Sequence, residues 1–369
     1  MKGKTVTKIL IFIFLIVSII AIPLTAENLG ISETLLKEFI VEKKPQSLPQ
    51  EDVHKQDNYT KIVISAVGDC ALGSDESYGK FGTFDDELKK HNYDYGYFFE
   101  NVKNILKKDD LTIANLETTF TTATKKANKE YAFKGEASYA RILKEGSIEV
   151  VNLANNHTFD YLREGFEDTI RALKKEGIGY FGYGYKYVTN IKGIKVGVLG
   201  YTGFDNTMAT KNQIKRDIIE LRPNVNILVV SFHWGEENQY YPNKIQKDLG
   251  HFVIDEGVDL VIGHHPHVIQ GIEKYKNRYI AYSLGNFSFG GNRNPKDKDS
   301  LIFQQTFILN DKGEIIDIEE DIIPVSISSQ KDRNNFKPII LEGKEKEKVL
   351  KKIEMFKGNK LNKKRRIEM

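Results

Sequence analysis

Short apolar runs that stop at Gly, Asn, Asp, Glu or His punctuate this chain, and that pattern leaves few folds open. Runs at 61–67, 111–114, 148–153, 196–199, 227–231, 258–262 and 279–283 have the length and apolarity of buried strands. Helical patterns lie between many of them, at 97–107, 138–144, 165–176, 213–221 and 243–256. Strands alternating with helices predict an α/β domain. Residues 301–309 and 314–325 predict a closing hairpin across Asn310-Asp311-Lys312-Gly313, and 344–356 a charged terminal helix.

The unusual polar residues sit where these runs end. Asp69 follows the first; Asn115 and Glu117 follow the second; Asn155, Asn156 and His157 follow the third. His233 follows the 227–231 run, and His265 and His267 follow the 258–262 run. Open α/β sheets gather ligands at the C-terminal ends of their strands, so these positions are expected to converge. In the richest stretch an apolar run empties into His264, His265 and His267. Period 2 sends the rings of His265 and His267 to one side and His264 to the other.

Two carboxylates, an amide oxygen and several imidazoles make a mixed oxygen and nitrogen donor set. It suits Mn, Fe or Zn better than Ca, which prefers oxygen alone. Cys70 is the only cysteine, which argues against a Cys-rich structural zinc site and leaves no intramolecular disulfide. A divalent ion held this way acidifies water and polarises phosphoryl or carbonyl oxygens, so hydrolysis is the default chemistry.

The chain's ends carry other information. Lys2, Lys4 and Lys8 precede an aliphatic and Phe stretch over 9–22, and Pro23 to Ala26 follow. This reads as an export signal or a retained membrane anchor over 1–26, placing the rest outside the cytoplasmic membrane. Residues 27–60 are polar and aperiodic, as in a linker or stalk. A net charge of +3 argues against a nucleic-acid partner, and the basic run 360–366 reads as a solvated end.

Six motifs, in order, resemble the bacterial capsule-synthesis CapA family. They are Gly68-Asp69, Asn115-Leu116-Glu117, Ala154-Asn155-Asn156-His157 with Asp160, His233-Trp234-Gly235 with Glu237, Gly263-His264-His265-Pro266-His267, and Ser283-Leu284-Gly285-Asn286-Phe287. The resemblance covers 61–325, with 326–369 left as a charged extension. It implies a fold similar to the calcineurin-like metallophosphatases, an α/β/β/α sandwich of two mixed sheets flanked by helices. It also implies work on an anionic polymer of the poly-gamma-glutamate type, beside a membrane-bound synthase complex. Two rivals stand next to that role: an extracellular phosphoesterase or nucleotidase acting on a phosphoester, and a non-catalytic assembly factor.

Carried over residue by residue, the resemblance makes Asp69, Glu117, Asn156, His233, His265 and His267 metal ligands. His157 becomes the group that assists the leaving group, oriented by Asp160. Asn115, Trp234, Glu237 and Asn286 are candidate substrate contacts, while His264 is assigned no role. The chain departs from the superfamily at Ala71, where a histidine ligand is usual, and at Glu117, where an aspartate is usual. One site, from Glu117, Asn156, His233 and His265, is then complete, and the other, from Asp69, Glu117 and His267, is depleted. One firmly held ion and a second that is weak or absent are expected.

Overall fold

The computed structural model describes residues 59–356. In chain order they begin with β1 (Thr60–Ala71), β2 (Ser74–Asp75), α1 (Phe84–Lys90), α2 (Lys103–Leu106), β3 (Leu111–Leu116), β4 (Thr119–Phe120) and β5 (Phe133–Gly135). Next come α3 (Ala140–Glu145), β6 (Val150–Asn152), α4 (Leu162–Glu176), β7 (Gly179–Phe181), β8 (Tyr187–Ile191), β9 (Ile194–Gly203), α5 (Met208–Leu221) and β10 (Ile227–Trp234). The chain continues through α6 (Lys244–Asp255), β11 (Leu260–His264), β12 (Ile272–Tyr275), β13 (Arg278–Ala281) and β14 (Asn286–Phe289). It closes with β15 (Asp299–Leu309), β16 (Ile315–Ser326), β17 (Ile339–Ile340) and α7 (Gly343–Phe356).

Two mixed sheets carry most of these strands. The first runs β17-β16-β15-β1-β3-β6-β7, with β14 added in parallel beside the end of β1. The second runs β12-β13-β11-β10-β9-β8, and a small sheet joins β2, β5 and β4. The alternation of buried side chains explains how the two large sheets stack. Ile62, Ile64, Leu111 and Ile113 of the first meet Val196, Val198, Ile227, Val229, Leu260 and Ile262 of the second in one inner core. The intervening residues face outward. Leu116 and Val151 pack with Phe84, Leu143 and Leu173 of α1, α3 and α4, while Leu228, Val230 and Val261 pack with Ile214 of α5 and Leu249 of α6. Helices, sheet, sheet and helices therefore form the expected α/β/β/α sandwich.

Several elements differ from the sequence reading. The helix expected over 97–107 is split into a 3-10 turn at Tyr97–Phe99 and α2. Three successive aromatics, Tyr97, Phe98 and Phe99, are all buried, which no single helix face accommodates. Helix α1 has only seven residues, too few for a periodic signal, and is set by Thr83, whose Oγ1 accepts from Asp86 N at 3.3 Å. Residues 326–356 are not an appendage: β17 pairs with β16, and Val349 and Ile353 of α7 lie in the inner core. Among the described residues no helix is long and apolar enough to cross a membrane. The expected export or anchor segment 1–26, the stalk up to residue 58 and the basic run 360–366 lie outside the described residues.

Candidate metal centre

The inner-face alternation that buries aliphatic side chains turns polar at the strand ends. On β10 it runs Ile227, Val229, Ser231, His233 and delivers His233 fully buried between the sheets. On β3 it runs Leu111, Ile113, Asn115 and continues to Glu117, also fully buried. β1 needs a bulge to match. Ala66 pairs with Ile113 and Asp69 with Asn115, so three residue steps on β1 span two on β3. Ala66 faces inward while Val67 and Cys70 pack outward, and the extra residue returns Asp69 to the inner face. Gly68 is required there, because a Cβ would sit 2.2 Å from the Gly285 carbonyl oxygen. Asp69 N donates to that same oxygen at 2.9 Å.

The histidine cluster is built differently from the period-2 expectation. β11 ends at His264, so the alternation of Leu260 and Ile262 carries His264 inward, where its Nδ1 lies 3.2 Å from Asp69 Oδ1. His265 and His267 lie beyond the strand and reach the site through left-handed backbone, with φ of 96° and 57°. Such conformations are costly for non-glycine residues and collect at functional sites. Asn286, the ladder partner of Asp69, places its Oδ1 2.9 Å from His267 Nδ1 and so orients that ring.

Glu117 sits at the centre. Its Oε1 lies 3.6 Å from His233 Nε2, 3.7 Å from His267 Nε2 and 3.9 Å from His157 Nε2. That oxygen is buried without a hydrogen-bond partner, as is His265 Nδ1. Two groups of side chains bring potential ligand atoms within 4.8 Å of one another: Asp69, Glu117 and His233, and Glu117, His265 and His267. This pairing differs from the one the resemblance implied, which put His233 with His265 and Asp69 with His267. Buried, unpartnered lone pairs facing one another from carboxylates and imidazoles fit a divalent cation.

Burial and crowding set the electrostatics of the metal-free site. Burial lowers His233 well below the usual imidazole value and His265 to about 4, so both present neutral rings at neutral pH. Burial alone would raise the Asp69 carboxyl, but His264 and His267 reverse that and hold it well below the carboxylate range. Glu117 is raised well above that range by burial, with Asp69, Glu237 and Asp160 adding to the effect. Burial disfavours protonated His267, yet Glu117 and Asp69 raise it to about 10.

His157 and Asp160 form a second unit beside the first. His157 Nδ1 lies 2.7 Å from Asp160 Oδ2, which turns Nε2 toward Glu117. The loop before β5 holds the pair in place. Lys129 Nζ donates to Asp160 Oδ1 at 2.7 Å and to the Asn156 carbonyl at 2.9 Å, Phe133 N donates to Asp160 Oδ2 at 2.6 Å, and the Phe133 ring stacks on His157. Lys129 and Phe133 carried no motif in the sequence.

The remaining candidates separate by position. Asn156 is exposed, with Oδ1 2.9 Å from His233 Nε2, whereas Asn155 is buried and donates to Asn115 Oδ1 and the Leu116 carbonyl. Asn115 is fully buried and donates to Asp69 Oδ1 at 2.9 Å, so it braces ligand candidates and is shut off from substrate. Asn286 likewise acts on His267. Trp234 cannot be a substrate contact: one step after His233, it points to the outer core and donates from Nε1 to the Tyr282 carbonyl. Glu237 is exposed at the rim, within electrostatic reach of Glu117 and His267. Phe204, 45% exposed, stands edge-on to His265 and was not foreseen.

The sequence matches the family model described as bacterial capsule synthesis protein PGA_cap over residues 63–291. The capsule biosynthesis protein CapA of Bacillus anthracis is 31% identical over 296 residues, covering 72% of this chain and 68% of that one. The PGA biosynthesis protein CapA of Bacillus subtilis strain 168 is 32% identical over 248 residues, covering 60% and 65%. The chain thus spans about two thirds of the length of each. A purple acid phosphatase from yellow lupin seeds superposes with a TM-score of 0.33 at 9% identity, covering 72% of this chain and 54% of that one, a likeness too loose to carry any conclusion. The family match and the identity to the Bacillus anthracis protein agree, and the chain belongs to the bacterial capsule synthesis protein PGA_cap family.

Proposed function

We propose that this protein works outside the cytoplasmic membrane, secreted or anchored by its N-terminal segment. There it serves the synthesis, export or attachment of an anionic capsule polymer of the poly-gamma-glutamate type, beside a membrane-bound synthase. Family membership and the relatives named for capsule and PGA biosynthesis support the role. The site holds one divalent ion firmly, Mn, Fe or Zn, and a second weakly or not at all. The observation that carries the metal is Glu117 Oε1, buried and unpartnered among the Nε2 atoms of His233, His267 and His157. Asp69, Glu117, Asn156, His233, His265 and His267 are the proposed ligands. When bound, the ion acidifies water and polarises a phosphoryl or carbonyl oxygen.

A hydrolytic reading is favoured by one contact, His157 Nδ1 to Asp160 Oδ2 at 2.7 Å. Pure binding needs no proton donor oriented by a carboxylate. In this reading the protein is a metal-dependent phosphoesterase, with His157 protonating the leaving group and Asp160 holding its tautomer. Turnover of phosphomonoesters and phosphodiesters with Mn, abolished by His157→Ala, supports the enzyme. No turnover with any of the three metals, together with loss of capsule on deletion, supports an assembly factor. Two tightly bound metal equivalents per chain would sink the one-ion arrangement.

A further inference from the structure

His264 is fully buried, and neither of its ring nitrogens has a hydrogen-bond partner. An imidazole always carries at least one N–H and usually one lone pair, and leaving such groups unpaired in an interior is costly. Its Nδ1 approaches Asp69 Oδ1 to 3.2 Å without a hydrogen bond between them. Two donor atoms that close, with no hydrogen bond between them, are what ligands of one ion present.

The ladder supports the same geometry. His264 pairs with His233 across β10 and β11, so the two histidines leave neighbouring strands at one level. His233 already groups with Asp69 and Glu117. That group offers three carboxylate and imidazole donors, Asn156 Oδ1 stands 2.9 Å from His233 Nε2 beside it, and Ala71 supplies none.

We infer that His264 is a further ligand of the firmly held ion, which sits with Asp69, Glu117 and His233. The inference rests on the proposed metal reading and deepens it by assigning the firm ion to the Asp69 side. The three-donor group of Glu117, His265 and His267 is then the weaker one.

The test replaces His264 by Cys in the full chain and titrates Co2+ into wild type, His264→Cys and His264→Ala. A thiolate-to-cobalt charge-transfer band should appear in His264→Cys and be absent from wild type, which controls for Cys70. His264→Ala should weaken the first Co2+ equivalent by more than about 100-fold, beyond what loss of an orienting partner usually costs. Wild type that binds no Co2+ would overturn the metal reading and the inference together. Wild type that binds one equivalent, with His264→Cys showing no band, would overturn the inference and leave the metal reading standing. If His264→Cys does not fold, zinc titration of histidine-labelled wild type decides by long-range 1H–15N spectra: a metal-bound shift at His264 supports ligation, and an unshifted ring overturns it.

Discussion

Glu117 Oε1 and His233 Nε2 lie 3.6 Å apart although Glu117 directly follows β3 of one sheet and His233 lies on β10 of the other. The inter-sheet core therefore ends in a polar contact that both sheets must supply. Stacking the sheets and assembling the site are one event.

Glu117→Gln keeps the volume at this contact and removes the charge. It should weaken metal binding by at least about 100-fold, because Glu117 is common to both ligand groups. The metal-free variant should match or exceed wild type in stability by about 1 kcal/mol, since a buried carboxyl oxygen without a partner no longer faces Asp69 and Asp160. Melting with and without a chelator checks both: chelation lowers wild type and leaves Glu117→Gln unmoved.

Lys129→Met should leave the metal content unchanged while lowering any hydrolytic turnover about 10-fold or more, since Lys129 touches Asp160, His157 Nδ1 and the backbone carbonyl of Asn156 but no proposed ligand side chain. Metal analysis and turnover on the same preparation separate the two effects. Equal loss of both would place Lys129 in the scaffold alone.

Burial raises the Asp109 carboxyl to about 6, against hydrogen bonds from Ser65 and Thr112. A carboxyl raised on folding contributes stability in full below its unfolded value near 4 and loses it as pH rises through about 6. Denaturant unfolding should thus show a contribution of Asp109 to wild-type stability that falls from pH 4 to 7. Asp109→Asn should flatten that slope and gain about 1–2 kcal/mol at pH 7.

Burial pushes the Cys70 thiol up to about 12, with Asp69 and Glu117 adding to it. Native protein should resist iodoacetamide at pH 8 and react promptly once denatured. Mass spectrometry of the intact chain reads the difference.

Ile353→Ala should destabilise the whole domain by about 2–4 kcal/mol, although Ile353 lies beyond the family match. A single cooperative unfolding transition shifted by that amount would confirm α7 as part of the core. An early separate transition would show it to be an appendage.

The strands were legible because apolar runs and their polar ends are local signals. The same runs placed Asp69, Glu117 and His233 correctly at strand ends. What failed was parity. The period-2 reading carried the strand on through His267, whereas β11 stops at His264; His264 therefore faces inward as well, and His265 and His267 reach the site through positive-φ backbone. The sequence likewise carries no mark that Val67 and Gly68 form a bulge, because the shift is visible only against β3. Lys129 and Phe133 escaped notice because their loop has no period; it is fixed by tertiary bonds such as Ala127 N to the Asp160 carbonyl at 2.8 Å.

The bulge in β1 also sets a rule for how this chain can change. The step that turns Asp69 inward also brings Asp69 level with Asn286, the residue that orients His267. A one-residue length change upstream in β1 would swap the carboxylate for a neighbour and strip His267 of its aligned brace in the same move. The first strand therefore tolerates altered side chains far more readily than altered length, and insertions there are expected to be silent only in pairs.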